Sequence, residues 1–536
     1  MHHARLTESH CPAWPTGPVR DTTVGGVLRA AAALTPDAIA LDEADAHGAL
    51  HRRWTYAELL AECDRLARAL ASRYAPGERI CVWAPNIPEW VMLEFAAAEA
   101  GLILVTANPA YQARELDFVL RQSRSVGLFL TPEHRGNPMA QIAARVAAGL
   151  PALREVVDMT DPEALFAQPS PVAALPTVGP DDPAQIQYTS GTTGFPKGAV
   201  LTHRGLTNNA RLVFERGGAV PGWTVLNFMP MFHTAGCSLN TLGAIQFGCR
   251  IILARQFDGS RMNAIIEAER VDSLMGVPTM LTAMLEAQAA HPRDVSSVSL
   301  TLSGGSMVPA ELVRRVRQDY GCAFQTVYGQ TEACPVITQS SADDSLDDLC
   351  ETVGRPLPHT EVSIRDPQTG QVAPLGAVGE ICARGYCVML EYNDNPEGTA
   401  GALDAEGWLH TGDLGTMDER GYVRVTGRVK DMIIRGGENL FPAEIEAVLL
   451  EHPDVAEVAV VGVPDALMGE IVACFVRLSA GAALDPPTLV RHCRAQLSPQ
   501  KTPAHWIAVT EWPLTGSGKI QKFVLRDRYV AGEWTG

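Results

Sequence analysis

Residues 188–199, with the sequence YTSGTTGFPKGA, combine the residue types that bind a polyphosphate. The glycines let the backbone turn its N–H groups inward, the hydroxyl side chains add donors, and a lysine adds a compact positive charge. We expect a strand before this loop and a helix after Thr202, which would place the loop at a strand-to-helix turn, a common phosphate site. The candidate ligands are Thr189, Ser190, Gly191, Thr192, Thr193, Gly194 and Lys197.

This loop differs from the Walker A loop of P-loop ATPases. That pattern requires a glycine directly before the lysine and a serine or threonine directly after it. Here Pro196 precedes Lys197, and Gly198 follows it. A solvated loop rich in glycine and threonine is the alternative, but the length of the segment and its flanking elements favour phosphate binding.

Five further segments place reactive side chains at separated positions. They are residues 229–236 (MPMFHTAG), 328–332 (YGQTE), 408–413 (WLHTGD), 428–439 (RVKDMIIRGGEN) and 513–520 (PLTGSGKI). Each has an ordinary explanation when it is taken alone. Asp413 could be a turn residue, Glu332 a helix cap, Lys519 a solvated loop residue and His233 a core histidine.

Together and in this order, the six segments resemble the adenylate-forming superfamily of acyl-CoA synthetases, aryl-CoA ligases, luciferases and nonribosomal adenylation domains. The resemblance extends from about Thr23 to Arg526. Residues 384–389 (RGYCVM), 430–439 and 518–522 (GKIQK) are most similar to medium-chain and related fatty acyl-CoA synthetases. The resemblance implies that ATP and Mg²⁺ convert a carboxylic acid to acyl-AMP and pyrophosphate, and that the acyl group then passes to coenzyme A.

The resemblance also implies a role for each matching residue. Lys519 would bridge the oxygens of the carboxylate and the α-phosphate, and the loop 191–197 would hold pyrophosphate. Glu332 would bind Mg²⁺, with the Thr189 hydroxyl as a weaker candidate, because this ion prefers oxygen ligands. The remaining nucleotide contacts would be Asp413 with the ribose, Arg428 with the ribose or a phosphate, Gly304, Gly305 and Tyr328 with the adenine, and Thr331 near the α-phosphate.

The second half-reaction involves the C-terminal part of the chain. In this superfamily a small domain rotates around one hinge residue, and Lys430 matches that position. Gly436 and Gly437 would then wall a pantetheine tunnel; the alternative is a simple turn before a helix at Pro442. His233 stands where amino-acid-activating members carry an aspartate for the substrate ammonium. An α-amino acid is therefore disfavoured, and His233 is assigned to the acid pocket.

The helices and strands predicted around these residues indicate an α/β protein. Helix and strand alternate through the first 130 residues and again between 202 and 328, which indicates parallel layers. A capping box at Thr55 and Glu58 marks one helix start. Short β runs between 352 and 429 indicate a small β-barrel or small twisted sheets. We therefore predict a large multi-layer body, residues 1–429, with two α/β subdomains and a small β-barrel, followed by a mobile α+β cap, residues 430–536.

Composition argues against several other classes of protein. With 61 acidic and 43 basic residues, the formal net charge is −18, which disfavours nucleic acid as a partner. The most apolar stretch, residues 100–107, is far shorter than the ~20 residues of a membrane-spanning helix. The first twenty residues lack the apolar core of a signal peptide. Twelve scattered cysteines are typical of reduced thiols, so we expect a cytoplasmic enzyme without a transmembrane segment.

Four functions remain open from the sequence. They are an acyl-CoA synthetase, an acyl-AMP ligase that loads a separate acyl carrier protein, a luciferase-like oxygenase, and a catalytically silent nucleotide-binding protein. The final residues, EWTG, lack the peroxisomal Ser-Lys-Leu signal that is common among luciferases. The presence of Lys519, Asp413 and Glu332 argues against a silent protein.

Overall fold

The computed structural model describes residues 5–14, 16–45, 47–189, 196–436, 438–465, 467–479, 481–514 and 520–534. The α-helices are Val24–Leu34, Tyr56–Ala71, Pro88–Glu99, Ala113–Ser123, Met139–Ala147, Pro162–Leu165, His203–Arg216, Gly243–Gln246, Gly259–Glu269, Pro278–Ala290, Ala310–Asp319, Leu346–Glu351, Pro396–Ala400, Pro442–Leu450, Pro486–Gln496 and Lys522–Val530. A π-helix spans Ala235–Leu242, and 3-10 helices span Thr331–Ala333, Val429–Asp431 and Pro499–Lys501.

Two largely parallel sheets form most of the N-terminal body. The seven-stranded sheet has the strand order Glu391–Tyr392, Lys197–Thr202, Pro183–Thr189, Ile103–Thr106, Arg79–Trp83, Gly127–Leu130 and Glu155–Asp158. The nine-stranded sheet has the order Arg355–Pro356, Thr338–Gln339, Ala323–Tyr328, Leu300–Gly304, Ser273–Met275, Thr224–Asn227, Arg250–Ala254, Ile39–Ala44 and Leu50–Thr55. These two sheets are the two α/β subdomains predicted from the sequence.

One continuous core holds the two sheets together. It contains Val82 and Leu104 from the seven-stranded sheet and Leu41 and Leu253 from the nine-stranded sheet, all buried. Helices such as Pro88–Glu99, which is buried almost all round, contribute the rest of this core. Because buried apolar area is the dominant favourable term in folding, this shared core stabilises the packing of the two sheets against each other.

Two smaller sheets complete the fold. The region predicted as a small β-barrel is a five-stranded antiparallel sheet with the order His10–Cys11, Thr360–Arg365, Gly379–Gly385, Leu409–Met417 and Val423–Arg428. The C-terminal sheet has the order Glu438–Leu440, Ile433–Arg435, Gly469–Leu478 and Val455–Asp465, with His505–Ala508 parallel to Gly469–Leu478. Its helices pack on cores of their own, which confirms the predicted α+β unit.

The capping box is confirmed in the structure. The Thr55 side chain accepts a hydrogen bond from the Glu58 backbone N–H, and the Glu58 side chain accepts one from the Thr55 N–H. The helix then runs from Tyr56 to Ala71. Local sequence chemistry was sufficient here because both partners lie within one turn.

Residues 188–199 are called the polyphosphate loop after their predicted ligand. The predicted strand before this loop and the predicted helix after Thr202 are present, but the placement of the loop directly between them is wrong. The loop connects two antiparallel strands, and Thr189 pairs with Lys197 across its base. The next helix begins at His203, where Thr202 caps it by accepting a hydrogen bond from the Gly205 N–H. The second strand was missed because Ala199, Val200 and Leu201 are all buried. A short run of apolar residues shows neither the periodicity of an amphipathic helix nor the alternation of a half-buried strand.

Two further features concern the thiols and the helices. All twelve cysteines are free thiols, and all except the half-buried Cys350 are buried. Among the described residues, no helix combines the length and the apolarity needed to cross a bilayer.

Arg216 ties a helix to the edge of the nine-stranded sheet. Its guanidinium donates hydrogen bonds to the backbone carbonyls of Gln339, Arg355 and Pro356 at 2.8–2.9 Å. Burial and the nearby Arg355 charge lower the pKa of Arg216 to about 10. A planar guanidinium can serve several acceptors at once, whereas an ammonium on a flexible stem cannot reproduce that arrangement.

We therefore expect Arg216→Lys to lower the free energy of unfolding by about 2 kcal/mol, since hydrogen bonds from a charged group contribute that much. Urea unfolding followed by circular dichroism measures the effect. The control is Arg204→Lys on the same helix, where Arg204 forms exposed ion pairs with Asp21 and Asp181. Surface pairs contribute less than about 1 kcal/mol. Equal shifts for the two variants would contradict the role given to Arg216.

Candidate active site

The two parallel sheets bring the predicted motifs to their carboxyl edges. In the nine-stranded sheet, Gly304 and Tyr328 end neighbouring parallel strands, and His233 follows the strand Thr224–Asn227. In the seven-stranded sheet, Thr189 ends the strand that precedes the polyphosphate loop. Open α/β sheets bind ligands outside the carboxyl ends of their strands. These edges therefore define the candidate site.

A buried carboxylate joins the antiparallel sheet to the nine-stranded sheet. Asp413 is 6% exposed, and its Oδ2 accepts a hydrogen bond of 3.0 Å from the Tyr328 hydroxyl. Its Oδ1 lies 2.9 Å from Nε of Arg428, which is its cross-strand partner. Burial and the Asp413 charge raise the pKa of Tyr328 well above its ordinary value. The phenol therefore stays protonated and acts as a donor. The structure thus unites three residues that the sequence proposed as separate contacts.

A second buried carboxylate joins the 3-10 helix Thr331–Ala333 to the seven-stranded sheet. Glu332 is 7% exposed, and its Oε1 accepts a hydrogen bond of 2.6 Å from the Tyr392 hydroxyl. The Lys197 ammonium lies 4.8 Å from the centre of the Tyr392 ring, within the range of a cation–π contact. Burial and the Glu332 charge raise the pKa of Tyr392 above its ordinary value. Glu332, Tyr392 and Lys197 therefore form one cluster beside the base of the loop.

Tyr392 was missed by the sequence analysis. It lies in a two-residue strand that pairs with the strand after the loop, Tyr392 opposite Ala199. No local pattern indicates this position, because the two partners are far apart in the chain. The available signal in the sequence was a tyrosine between the apolar residues 388–390 and the polar residues 393–395.

Glu332 and Thr189 could hold a divalent cation. Glu332 offers a buried carboxylate, and Thr189 is in the same hairpin as Lys197, with its hydroxyl 3.4 Å from the Lys197 carbonyl oxygen. A second group of possible metal ligands, Glu380, Cys382 and His410, has ligand atoms within 4.8 Å of one another. This second group lies on the two strands that present Asp413.

The close approach of the neighbouring strand explains why residue 304 is a glycine. A Cβ at this position would lie 2.3 Å from the carbonyl oxygen of Val327 on the adjacent strand, so a side chain does not fit. Gly305 follows directly at the end of the strand, and Thr331 is buried next to Glu332. The adenine and α-phosphate contacts proposed for these residues stay predictions.

His233 is exposed, so the alternative of a core histidine is wrong. It occupies a turn in which its carbonyl oxygen accepts hydrogen bonds from the backbone N–H groups of Gly236 and Cys237. The π-helix Ala235–Leu242 begins two residues later. The assignment of His233 to the acid pocket stays a prediction.

Several candidate residues lie outside the described residues. They are Ser190, Gly191, Thr192, Thr193, Gly194, Gly437 and Lys519. Leu514 and Ile520, on either side of the segment that contains Lys519, pair in an isolated antiparallel β-bridge. The loop predicted for Lys519 stays a prediction.

The predicted hinge lies in a 3-10 helix between two sheets. Val429–Asp431 connects the last strand of the antiparallel sheet to the first strand of the C-terminal sheet. Burial of the Lys430 ammonium and the adjacent Arg428 charge lower its pKa to about 8. Gly436 lies in the following hairpin turn, where its N–H donates to the carbonyl of Met468. This turn is a sufficient local reason for a glycine at position 436. The role of Gly436 in a pantetheine tunnel stays a prediction.

Lysine is rare in this protein. The sequence contains five lysines and thirty-eight arginines. Lys197, Lys430 and Lys519 belong to the candidate motifs, while Lys501 and Lys522 form ion pairs with Glu444 and Glu446 of one helix. An ammonium is a compact point charge that can also lose its proton, unlike a guanidinium. Three of the five lysines therefore belong to the candidate motifs.

Comparison with known proteins assigns this architecture to a family. The family model of the AMP-binding enzyme matches residues 28–393, and the model of the AMP-binding enzyme C-terminal domain matches residues 444–519. The protein YngI of Bacillus subtilis (strain 168) is 38% identical over 538 residues, covering 95% of this chain and 97% of YngI. The human mitochondrial medium-chain acyl-CoA ligase ACSF2 is 36% identical, covering 94% of this chain and 87% of the ligase.

Solved structures of related enzymes are also similar to this chain. ATP-bound MatB from Rhodopseudomonas palustris superimposes with a TM-score of 0.84 at 31% identity, covering 95% of this chain and 99% of MatB. The o-succinylbenzoate CoA synthetase MenE from Bacillus subtilis, in complex with its acyl-adenylate intermediate, gives 0.83 at 29% identity with the same coverage.

The lowered pKa of Lys430 yields a prediction for the site. At pH 8 about half of the Lys430 amines should be neutral and react with acetic anhydride. Peptide mass spectrometry after brief labelling across pH 6–11 should give a midpoint near 8 for Lys430. Arg428→Gln removes the adjacent positive charge, so this midpoint should rise. Lys501, ion-paired with Glu444, serves as the internal reference. A midpoint above 10 in the parent protein would contradict the prediction.

Proposed function

This chain belongs to the AMP-binding enzyme family, and from that premise we propose that it is an AMP-forming acyl-CoA synthetase. It joins a carboxylic acid to AMP with release of pyrophosphate, and then transfers the acyl group to coenzyme A. A free carboxylate is a poor acyl donor because its leaving group would be oxide. The mixed anhydride with AMP provides a better leaving group.

The observation that carries this proposal is the pair of buried carboxylates at the junction of three sheets. Asp413, fixed by Tyr328 and Arg428, suits the hydroxyls of a ribose, because an ionised carboxylate is a strong acceptor. Glu332 and Lys197 both contact Tyr392 at the base of the polyphosphate loop. One site therefore offers complementary groups for the sugar and for the phosphates of a nucleotide.

Adenylation requires two anions, the carboxylate and the α-phosphate, to approach each other. Preorganised positive charge at that point is the main catalytic requirement, and removing one such group typically costs a factor on the order of 10²–10³. We assign this role to Lys519. Lys197 and the loop residues 190–194 would hold the departing pyrophosphate. Gly304 and Gly305 would flank the adenine, and Thr331 would contact the α-phosphate.

The residues present fit a magnesium ion. Mg²⁺ prefers oxygen ligands and is usually bound by one or two protein groups together with substrate phosphates. The Glu332 carboxylate and the Thr189 hydroxyl would hold it. When bound, the ion neutralises part of the phosphate charge. Tyr392 orients the Glu332 carboxylate by donating to Oε1.

Transfer to coenzyme A would use the C-terminal unit. We propose that residues 430–536 form a mobile cap and that Lys430 is its hinge, because the 3-10 helix around it is a short connection between two separate sheets. Rotation would withdraw Lys519 and bring Gly436 and Gly437 to a pantetheine tunnel. Hinges of this kind absorb a large change in a few backbone dihedrals.

The substrate class is proposed from the relatives and from one residue. ACSF2 carries the name of a medium-chain acyl-CoA ligase, and His233 provides no negative charge for an α-ammonium group. We propose a fatty or other non-amino acid. Twelve free thiols fit a reducing compartment such as the cytoplasm. The acceptor thiol could also be the pantetheine of an acyl carrier protein, and the assay below distinguishes the two.

The test is acid-dependent exchange of pyrophosphate with ATP, measured with a panel of straight-chain, aromatic and α-amino acids. We expect exchange with non-amino acids and formation of a thioester after addition of CoA, detected by mass spectrometry. Parallel reactions receive a phosphopantetheinylated carrier protein instead of CoA. The absence of exchange with every acid would contradict the proposed function. Transfer to the carrier but not to CoA would correct the acceptor.

A variant of Lys519 should separate the two half-reactions. We expect Lys519→Ala to reduce acid-dependent pyrophosphate release by at least about 100-fold, because its charge acts at the α-phosphate. Thioester formation from a chemically prepared acyl-adenylate should stay within about threefold of the parent. Lys501→Ala, which removes an ion pair in the same domain, is the control. Equal losses in both half-reactions would contradict this role.

A further inference from the structure

Asp413 is presented by an irregularity in the antiparallel sheet. Glu380 pairs with Leu414, and Cys382 pairs with His410. Between these two pairs one strand contributes Ile381, whereas the other contributes Thr411, Gly412 and Asp413. The extra residues form a bulge, which we call the Asp413 bulge. Bulges often lie beside active sites and redirect a side chain.

The Asp413 bulge has an unusual backbone that requires support. Gly412 adopts a φ of +71°, a left-handed conformation that favours glycine. The Thr411 hydroxyl donates to the Ile381 carbonyl at 2.6 Å and accepts from the Asp413 N–H at 3.1 Å. These bonds fix the two ends of the bulge and leave the N–H of Gly412, at its centre, to another partner.

Glu380 supplies that partner from the facing strand. Its Oε1 accepts a hydrogen bond of 2.9 Å from the Gly412 N–H. Its Oε2 lies 2.8 Å from Nδ1 of His410, the residue directly before the bulge. The other ring nitrogen of His410 lies 3.6 Å from Asp404. One carboxylate thus connects the centre of the bulge to its start, and the imidazole fixes the orientation of that carboxylate.

We propose that Glu380, oriented by His410, is a positioning residue that fixes the Asp413 bulge in the conformation that binds the ribose. This inference rests on the ribose role of Asp413 in the proposed function. Neither side chain contacts the nucleotide in this proposal. Both act through the direction in which the Asp413 carboxylate points.

The same geometry argues against a metal site at Glu380, Cys382 and His410. Both carboxylate oxygens of Glu380 already have partners in the protein, the Gly412 N–H and the His410 ring. A metal ion would have to replace the hydrogen bond from the backbone N–H. The Cys382 thiol is fully buried, and burial raises its pKa above the ordinary value, so it resists the deprotonation that coordination requires. Hydrogen bonding accounts for the cluster.

The test compares the use of ATP and 3′-deoxy-ATP in pyrophosphate exchange. For Glu380→Ala we expect the KM for ATP to rise about tenfold, as on loss of a hydrogen bond to a charged group, while kcat changes by less than about threefold. The preference for ATP over 3′-deoxy-ATP should fall to that of Asp413→Ala. His410→Gln should show the same change in smaller measure. The double variant Glu380→Ala/Asp413→Ala should be no worse than Asp413→Ala.

The control is Glu361→Ala on the neighbouring strand. Glu361 pairs with Arg384 and is similarly buried, with 21% of its side chain exposed against 13% for Glu380, but it does not contact the bulge. This variant should keep the parental preference for the 3′-hydroxyl. Thermal unfolding of each variant excludes a general loss of structure, and His410→Gln carries the test if Glu380→Ala does not fold.

Three results would overturn the inference. The first is a parental ribose preference in Glu380→Ala and His410→Gln while Asp413→Ala has lost it. The second is a stoichiometric metal ion, measured by mass spectrometry of the parent, that these substitutions remove. The third is an unchanged preference in Asp413→Ala, which would also refute the ribose role. The absence of exchange in the parent protein would instead contradict the proposed function itself.

Discussion

The burial of two carboxylates is the constraint on which the site depends. A carboxylate removed from water is costly unless other groups replace its hydration. Asp413 and Glu332 meet this condition with tyrosine hydroxyls that come from other strands, Tyr328 and Tyr392. The hydrogen bond to Asp413 crosses between two sheets, and the hydrogen bond to Glu332 joins the 3-10 helix Thr331–Ala333 to the edge strand of the seven-stranded sheet. The three sheets of the N-terminal body can therefore pack around these charges in few arrangements.

The body and the C-terminal unit contribute different kinds of group. The body supplies fixed carboxylates, close-packed glycine backbone and the base of the polyphosphate loop. The C-terminal unit and the segment leading to it supply Lys430, Lys519 and the turn at Gly436. In the proposed function, a fixed acceptor for the sugar and cations on a mobile C-terminal cap suit a reaction in which positive charge is needed for one step and not for the next.

Local features could be predicted well from the sequence. The capping box at Thr55, which begins the helix Tyr56–Ala71, follows from side chains within one turn. The strand Lys197–Thr202 was missed because it is buried on both faces and lacks a periodicity. The same limit hid Tyr392 and Glu380, since their partners Glu332 and Gly412 lie far away in the sequence.

The sequence by itself determined the order of the motifs, the residue types that suit nucleotide chemistry, the family and the division into α/β and α+β parts. These properties depend on short-range patterns, which a linear chain displays directly. Only the tertiary structure decided that Asp413, Tyr328 and Arg428 share one hydrogen-bonded cluster, and that a three-residue bulge held by Glu380 aims the carboxylate. Strand register decides both, and register is fixed by pairing between distant segments rather than by either strand alone.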